Sequence, residues 1–432
     1  MADLSNNFIG IKSPNPFWLA SAPPTDKAYN VNRAFEAGWG GVVWKTLGED
    51  PHIVNVNGPR YGAVHSHDRR LIGLNNIELI TDRPLQINLD EIKQVKRDWP
   101  DRALVVSLMV PCEEAIWKNM MRQVEDTGAD GVELNFGCPH GMSERGMGSA
   151  VGQVPEYIEM VTRWCKENSS MPVIVKLTPN ITDIRYPARA ANAGGADAVS
   201  LINTVSSIVS VDLDKMAPEP TIDGKGSHGG YCGPAVKPIA LNMVAEIARD
   251  AETARLPISG IGGITTWRDA AEFLALGAGN VQVCTAAMTY GFKIIDELTS
   301  GLANWMDEKG HANLDSIIGK ATPNVTDWQY LNLNYVAKAR IDQDSCIKCG
   351  RCHIVCEDTS HQAITEKVDG KRHFEVIDEE CVGCNLCVSV CPVENCITME
   401  QMADGVDPRT NSPINNSYGN WTQHPNNPAS SA

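Results

Sequence analysis

The sequence predicts an α/β fold, a (β/α)₈ TIM barrel, followed by a compact cysteine-rich domain. Three observations lead there. Eight short apolar runs rich in β-branched residues recur along the chain, each followed by a longer amphipathic stretch. Most of those runs end in polar or reactive residues, at the rim where barrel enzymes place their chemistry. Towards the C-terminus stand two cysteine runs of metal-binding spacing.

The eight runs fall at 16–21, 40–46, 103–109, 131–136, 173–178, 198–203, 257–261 and 280–285. Between them, apolar residues at three-to-four spacing predict helices over Glu114–Thr127, Pro155–Glu167, Tyr186–Ala193, Val236–Asp250 and Trp267–Leu276. The reactive run ends are Ser21, Lys45–Thr46, Asn135–Cys138, Lys176–Thr178, Asn203–Thr204, Gly260–Gly263 and Cys284–Thr285. A doubly wound sheet is the rival fold, but it would gather ligand contacts at one switch point, whereas here nearly every strand contributes.

A chain of 432 residues exceeds the usual single domain. The expected division is a barrel over 1–335, a cysteine-rich domain over 336–400 and a tail over 401–432. Gly301–Asn332 reads as a connecting stretch. The tail, rich in Asn, Pro, Ser and Gly, has Tyr418 and Trp421 as its anchors and could lie as an arm on a partner.

Hydrophobic residues make up 43% and charged residues 21%, as in soluble proteins, and no apolar run approaches the ~20 residues of a membrane span. The polar stretch Met1–Phe8 has no signal-peptide character, so a cytoplasmic location is expected. A net charge of −16 disfavours nucleic acid and anionic membranes, leaving small molecules, protein partners and self-association.

Of the 14 cysteines, eight form the runs Cys346-x₂-Cys349-x₂-Cys352-x₃-Cys356 and Cys381-x₂-Cys384-x₂-Cys387-x₃-Cys391-Pro392. This is the spacing of a ferredoxin-like domain with two [4Fe-4S] clusters, in which three thiolates of a run hold one cubane and the fourth holds its neighbour. One cluster thus takes Cys346, Cys349, Cys352 and Cys391, and the other takes Cys381, Cys384, Cys387 and Cys356. Zinc is the alternative, but four-cysteine zinc sites do not normally use such tandem runs. Cys396, just outside the pattern, reads as a small buried hydrophobe.

Such clusters pass single electrons, whereas a nicotinamide passes a hydride, so a flavin is needed to split the pair. No strand-Gly-x-Gly-x-x-Gly-helix unit is present, since Gly260–Gly263 runs on into Ile264 without the third spaced glycine. A nicotinamide site is therefore expected on a partner.

At the rim, Gly262–Gly263 and Thr285–Ala286 follow the seventh and eighth runs, where barrels build phosphate sites; the glycines could equally serve a turn alone. Lys176 ends an apolar run and needs an anion, either a reduced flavin or a structural carboxylate. Cys138, in Asn135-Phe-Gly-Cys-Pro-His-Gly141, is the candidate general acid, and the Gly-rich stretch Gly141–Gly152 suits a lid. Asn76, Glu78, Asn135, Asn203 and Thr204 offer donors and acceptors that match a cyclic diamide such as uracil.

With those residues in view, the chain resembles the dihydropyrimidine dehydrogenase family, over its flavin barrel and C-terminal ferredoxin region, across about residues 5–400. The most specific stretches are Asn75-Asn-Ile-Glu-Leu-Ile80, Glu133-Leu-Asn-Phe-Gly-Cys-Pro-His-Gly-Met142, Lys176-Leu-Thr-Pro-Asn180, Asn203-Thr-Val205 and the two cysteine runs. The resemblance implies that Cys138 is the acid and that Asn76, Glu78, Asn135, Asn203 and Thr204 bind pyrimidine. It also implies that Lys45, Lys176, Gly263 and Thr285 contact FMN; Ala20, Ser21, Thr46, Gly233, Gly262 and Ala286 complete the expected cofactor surround. Single-chain members of the family carry N-terminal FAD and nicotinamide domains, so here a separate subunit is expected to supply FAD and NADH. Gly137 stands where a Ser is common, and His65–Leu71 matches no family stretch.

The expected reaction is reversible reduction of the pyrimidine 5,6 double bond, hydride reaching C6 and Cys138 protonating C5. A dihydroorotate-type flavoenzyme, distinguished by a cation for the substrate carboxylate, and a non-catalytic electron-transfer subunit are the alternatives.

Overall fold

The computed structural model describes residues 2–49, 54–139, 146–359, 361–369, 371–415 and 417–431. The chain divides into two compact units, Met1–Val325 and Thr326–Ala432.

In the first unit eight parallel strands close into a barrel in sequential order. They are β1 (Phe17–Leu19), β2 (Gly41–Leu47), β3 (Ala103–Leu108), β4 (Gly131–Asn135), β5 (Val173–Lys176), β6 (Ala198–Leu201), β7 (Ile258–Ile261) and β8 (Ala278–Val283). All eight expected runs are there, and closure disposes of the doubly wound alternative. Because helices cover the outside, side chains on both faces are buried, which is why the runs read as almost continuously apolar.

Inward-facing side chains alternate along each strand and form stacked layers. The lower layer is apolar: Trp18, Val43, Val105, Ile174 and Ala198 pack with Phe8 and Ile11. The last two sit on an N-terminal hairpin, Asn6–Phe8 with Ile11–Ser13, that plugs the barrel floor. Phe8 meets Trp18 edge to face at 5.9 Å. Two residues further along each strand the layer turns polar, with Lys45, Ser107, Lys176 and Ser200.

The five expected helices appear as Glu114–Glu125, Pro155–Glu167, Arg185–Ala193, Lys237–Arg249 and Trp267–Ala275. The expected connecting stretch from Gly301 onward needs correction, because helix Ile294–Lys309 runs through its start. Leu298, Leu302 and Met306, four residues apart, bury one face of that helix. A Cβ on Gly301 would stand 2.1 Å from the Trp267 ring, so close helix packing explains the glycine.

Four short strands inserted between barrel elements form an antiparallel sheet at the rim, in the order Val205–Ser207, Gly229–Cys232, Leu71–Asn76, Tyr61–His65. Nothing in the periodicity announced this sheet. No helix among the described residues is long and apolar enough to cross a membrane.

In the second unit, β9 (Val336–Ile341) pairs with β12 (Ile397–Met402), and β10 (Ile364–Asp369) pairs with β11 (Lys371–Val376). Helix Arg351–Glu357 carries Cys352 and Cys356, and helix Leu386–Val390 carries Cys387, with Cys391 immediately after it. The segment beyond Ala403 is built into this unit. Asp407 accepts from Lys338 Nζ at 2.8 Å, and Lys338, 1% exposed, also donates to the Cys381 carbonyl at 2.7 Å. Leu333 N donates to Gly419 O at 3.0 Å, and the Trp328 and Trp421 rings lie 6.1 Å apart, which explains why the unit begins at Thr326.

Burial pushes the Asp407 carboxyl up, but the Lys338 ammonium and the Arg409 N–H more than reverse this and hold it below the usual value. A depressed carboxyl stabilises above its unfolded value near pH 4 and loses that contribution as pH falls through the folded value. Asp407→Ala leaves a buried ammonium unmatched, so in the full chain denaturant unfolding of the second unit should shift by about 3 kcal/mol and lose part of its acid dependence. Adding Lys338→Met should recover part of the loss.

Candidate active site and cysteine cavities

A cleft of about 1130 Å³, open to solvent, lies over the C-terminal ends of the barrel strands and under the rim sheet. Every site residue expected of the barrel borders it: Cys138; Asn76, Glu78, Asn135, Asn203 and Thr204; and Ala20, Ser21, Lys45, Thr46, Lys176, Gly233, Gly262, Gly263, Thr285 and Ala286. Asn76 comes from the rim sheet and Glu78 from the segment just after it; the others come from strand ends and the loops that follow.

Two buried lysines set the electrostatics. Lys45 Nζ lies 2.7 Å from Glu78 Oε1 and 3.8 Å from Asp26 Oδ2. Arg60 Nη1 reaches both Glu78 oxygens, at 3.2 and 3.0 Å. Burial raises the Asp26 carboxyl even though Lys45 opposes it. Lys176 finds its anion in the barrel itself, Glu133 Oε1 at 3.3 Å, with Glu133 fully buried. The structural carboxylate is thus in place without a flavin.

The amides form a chain. Asn203 Nδ2 donates to Asn135 Oδ1 at 3.0 Å, and Asn135 Nδ2 donates to Thr46 Oγ1 at 3.1 Å. Thr46 in turn shares hydrogen bonds with Ser21 and Ser107. Asn76 Nδ2 donates to Gly230 O at 2.9 Å, while its Oδ1 takes the Glu78 N–H. Gly137 is explained by this chain, since a Cβ there would come within 2.5 Å of the Asn203 side chain. Cys138 packs in the wall with Ile80, Met109 and Met147. Of the expected lid, residues 141–145 lie outside the described residues, and Ser149–Gly152 forms one helical turn.

The fit to a flavin mononucleotide is tested at the glycines. Gly233, Gly262 and Gly263 have φ of 91°, 130° and 74°, and a Cβ on Gly263 would meet Gly233 O at 2.9 Å. Backbone packed this tightly forms a floor without side chains, the surface a phosphate and its ribityl chain require. Behind it, Asp269 takes the N–H groups of Thr265 and Thr266 and pairs with Lys237 at 2.6 Å, fixing the loop. A carboxylate-matched pair of ammonium groups and a glycine floor suit FMN.

Sequence reading passed over Arg60, Asp26, Tyr61, Tyr231, Cys232 and Gln282. Tyr61, Tyr231 and Cys232 sit on the rim sheet, which gave no signal, and Asp26 and Arg60 lie in loops. Gln282 did carry one, as an amide in the middle of the apolar run Val281-Gln-Val283. Cys284, named only as a strand end, is half-buried at the cleft, and desolvation there pushes its thiol up to about 12.

In the second unit two cavities gather the cysteines crosswise. Cys346, Cys349, Cys352 and Cys391 line one, joined by buried Cys396. Cys356, Cys381, Cys384 and Cys387 line the other. Lys348 N donates to Cys346 Sγ at 3.4 Å and Ala363 N to Cys356 Sγ at 3.2 Å, contacts suited to cluster thiolates. Burial pushes the Cys352 and Cys387 thiols up to about 11, so iron must displace their protons on binding. Four cysteines of the two runs in each cavity, in apolar surroundings, fit a [4Fe-4S] cubane in each.

Residues 3–306 match the dihydroorotate dehydrogenase family, and residues 339–399 match the 4Fe-4S dicluster domain. The chain is 43% identical over 400 residues to the NAD-dependent dihydropyrimidine dehydrogenase subunit PreA of Escherichia coli strain K12, covering 93% of this chain and 96% of that protein. It is 40% identical over 326 residues to the chloroplastic dihydropyrimidine dehydrogenase (NADP(+)) of Arabidopsis thaliana, covering 73% and 76%. The crystal structure of a ligand-free type DHODH from Eimeria tenella superposes with a TM-score of 0.61 at 21% identity, over 74% of this chain and 92% of that one, a likeness of fold alone. The chain therefore belongs to the dihydroorotate dehydrogenase family of flavin barrels, on the side of its dihydropyrimidine dehydrogenase members that carry a 4Fe-4S dicluster domain.

Proposed function

We propose that this chain is the catalytic subunit of an NAD-dependent dihydropyrimidine dehydrogenase, an oxidoreductase that interconverts uracil or thymine and the 5,6-dihydropyrimidine. The observation that carries this reading is the charge balance of the cleft. Among the described residues, Lys176 meets Glu133 at 3.3 Å, while Lys45 and Arg60 share Glu78, at 2.7 and 3.0 Å, and Asp26 stands 3.8 Å from Lys45 as the second carboxylate of that cluster. A neutral cyclic diamide suits such a wall, whereas the carboxylate of a dihydroorotate would find no unmatched cation.

Glu78, an acceptor held by Lys45 and Arg60, would face a pyrimidine N–H, and Asn76, Asn135, Asn203 and Thr204 would supply the remaining edge contacts. Cys138 would hold the proton for C5. Lys45, Lys176, the glycines and Thr285–Ala286 would hold FMN. Bound there, the flavin supplies a hydride to C6 and accepts electrons one at a time. Cys346 to Cys391 would hold the two [4Fe-4S] clusters that deliver those electrons, from a partner subunit that carries FAD and oxidises NADH in the cytoplasm.

The test is to purify the chain anaerobically, reduce it chemically and follow flavin absorbance on adding uracil, thymine or orotate. Reoxidation by uracil or thymine is expected; reoxidation by orotate alone would sink the reading. Cys138→Ala, with flavin fully loaded, should lower the rate of uracil reduction by about 10²-fold or more, and a normal rate would remove Cys138 as the acid. Glu78→Gln should weaken uracil binding by tenfold or more, the scale of a hydrogen bond to a charged group at about 1.5–3 kcal/mol. The same substitution unmatches Lys45 and Arg60, so orotate binding should improve, measured as the flavin spectral shift on titration.

A further inference from the structure

Gln282 lies one residue from the C-terminal end of β8, is fully buried and borders the cleft. Its amide nitrogen donates to Glu133 Oε2 at 3.1 Å and to Ser259 Oγ at 3.0 Å. Glu133 is itself fixed, since its Oε1 faces Lys176 at 3.3 Å and its Oε2 also accepts from Ser200 Oγ at 2.8 Å. Five neighbouring strands, β4 to β8, therefore contribute one side chain each to a single polar layer beneath the cleft.

This layer fixes which way the amide points. A carboxylate offers only acceptors, so turning the Gln282 amide over would set oxygen against oxygen. Both hydrogens of the nitrogen are committed, and Oε1 has one direction left to it. That oxygen is buried and has no hydrogen-bond partner among the described residues. A buried acceptor left in that state is disfavoured, and an apolar side chain of similar volume would avoid the cost.

We propose that Gln282 is a cofactor-binding residue that presents its amide oxygen to a hydrogen-bond donor of the bound flavin. The proposal rests on the reading that FMN occupies this cleft. Two parts of FMN supply such a donor: the ring N3–H and the ribityl hydroxyls. The surrounding layer gives the contact its specificity, because an amide whose nitrogen is held by Glu133 and Ser259 cannot turn to present its N–H groups in place of its oxygen.

The experiment strips FMN from the full chain and measures rebinding by quenching of flavin fluorescence, with the iron–sulfur domain intact. Ligands are FMN, 3-methyl-FMN and FMN analogues lacking one ribityl hydroxyl; proteins are the unmodified chain, Gln282→Leu and, should that variant fold poorly, Gln282→Met. FMN should bind the variant about tenfold more weakly. One analogue should lose a similar factor on the unmodified chain and nothing further on the variant, and its identity names the donor. Equal FMN affinity in variant and unmodified chain, or losses that multiply for every analogue, would overturn the proposal and leave a trapped water as the partner of Oε1. If no analogue weakens binding to the unmodified chain, the proposal also fails. Failure of the unmodified chain to rebind FMN at all would instead remove the flavin reading on which it rests.

Discussion

Closure of eight strands is the constraint from which the rest follows. Once the barrel closes, every second side chain of every strand points inward, and the interior can hold only a few layers. Trp18, Val43, Val105, Ile174 and Ala198 fill the lower one with apolar bulk. The layer above is polar because it faces the cleft, yet it is still buried, so each polar group must be matched. Glu133, Lys176, Ser200, Ser259 and the Gln282 amide nitrogen match one another across the barrel axis, which leaves the Gln282 oxygen without a partner among the described residues. A site of this kind is held by the same strands that hold the fold, and its charges are set before any ligand arrives.

The strands were legible because both faces are buried and the apolar runs are therefore continuous. The residues that line the cleft at their ends were legible because Lys45, Asn135, Lys176 and Asn203 each interrupt or close such a run. The cysteine runs were legible by spacing alone, and the structure gathers them crosswise as that spacing requires. In each case a local pattern carried the long-range information.

Where the pattern was not local, the sequence was silent. The rim sheet joins Tyr61–His65 and Leu71–Asn76 to Gly229–Cys232 and Val205–Ser207, strands too short and too polar to show alternation. Asp26 and Arg60 matter through partners far along the chain, in Lys45 and Glu78. Lys338 and Asp407 likewise meet across the second unit, and a tail read from composition as an appendage proves to hold one of the unit's buried charges in place. Helix Ile294–Lys309 runs through the start of the stretch read as a connection, and Gly301 within it packs against the Trp267 ring.

The crossing of the cysteine runs has a consequence for assembly. Each cavity takes three walls from one run and its fourth from the other, with Cys356 closing the cavity of the second run and Cys391 closing that of the first. Neither cavity exists as a four-cornered box until both runs have folded, so the two cannot mature one after the other as independent modules. Damage at one corner, by oxidation or substitution, is therefore inherited by the neighbouring cavity, and the pair behaves as a single cooperative object in both its making and its loss.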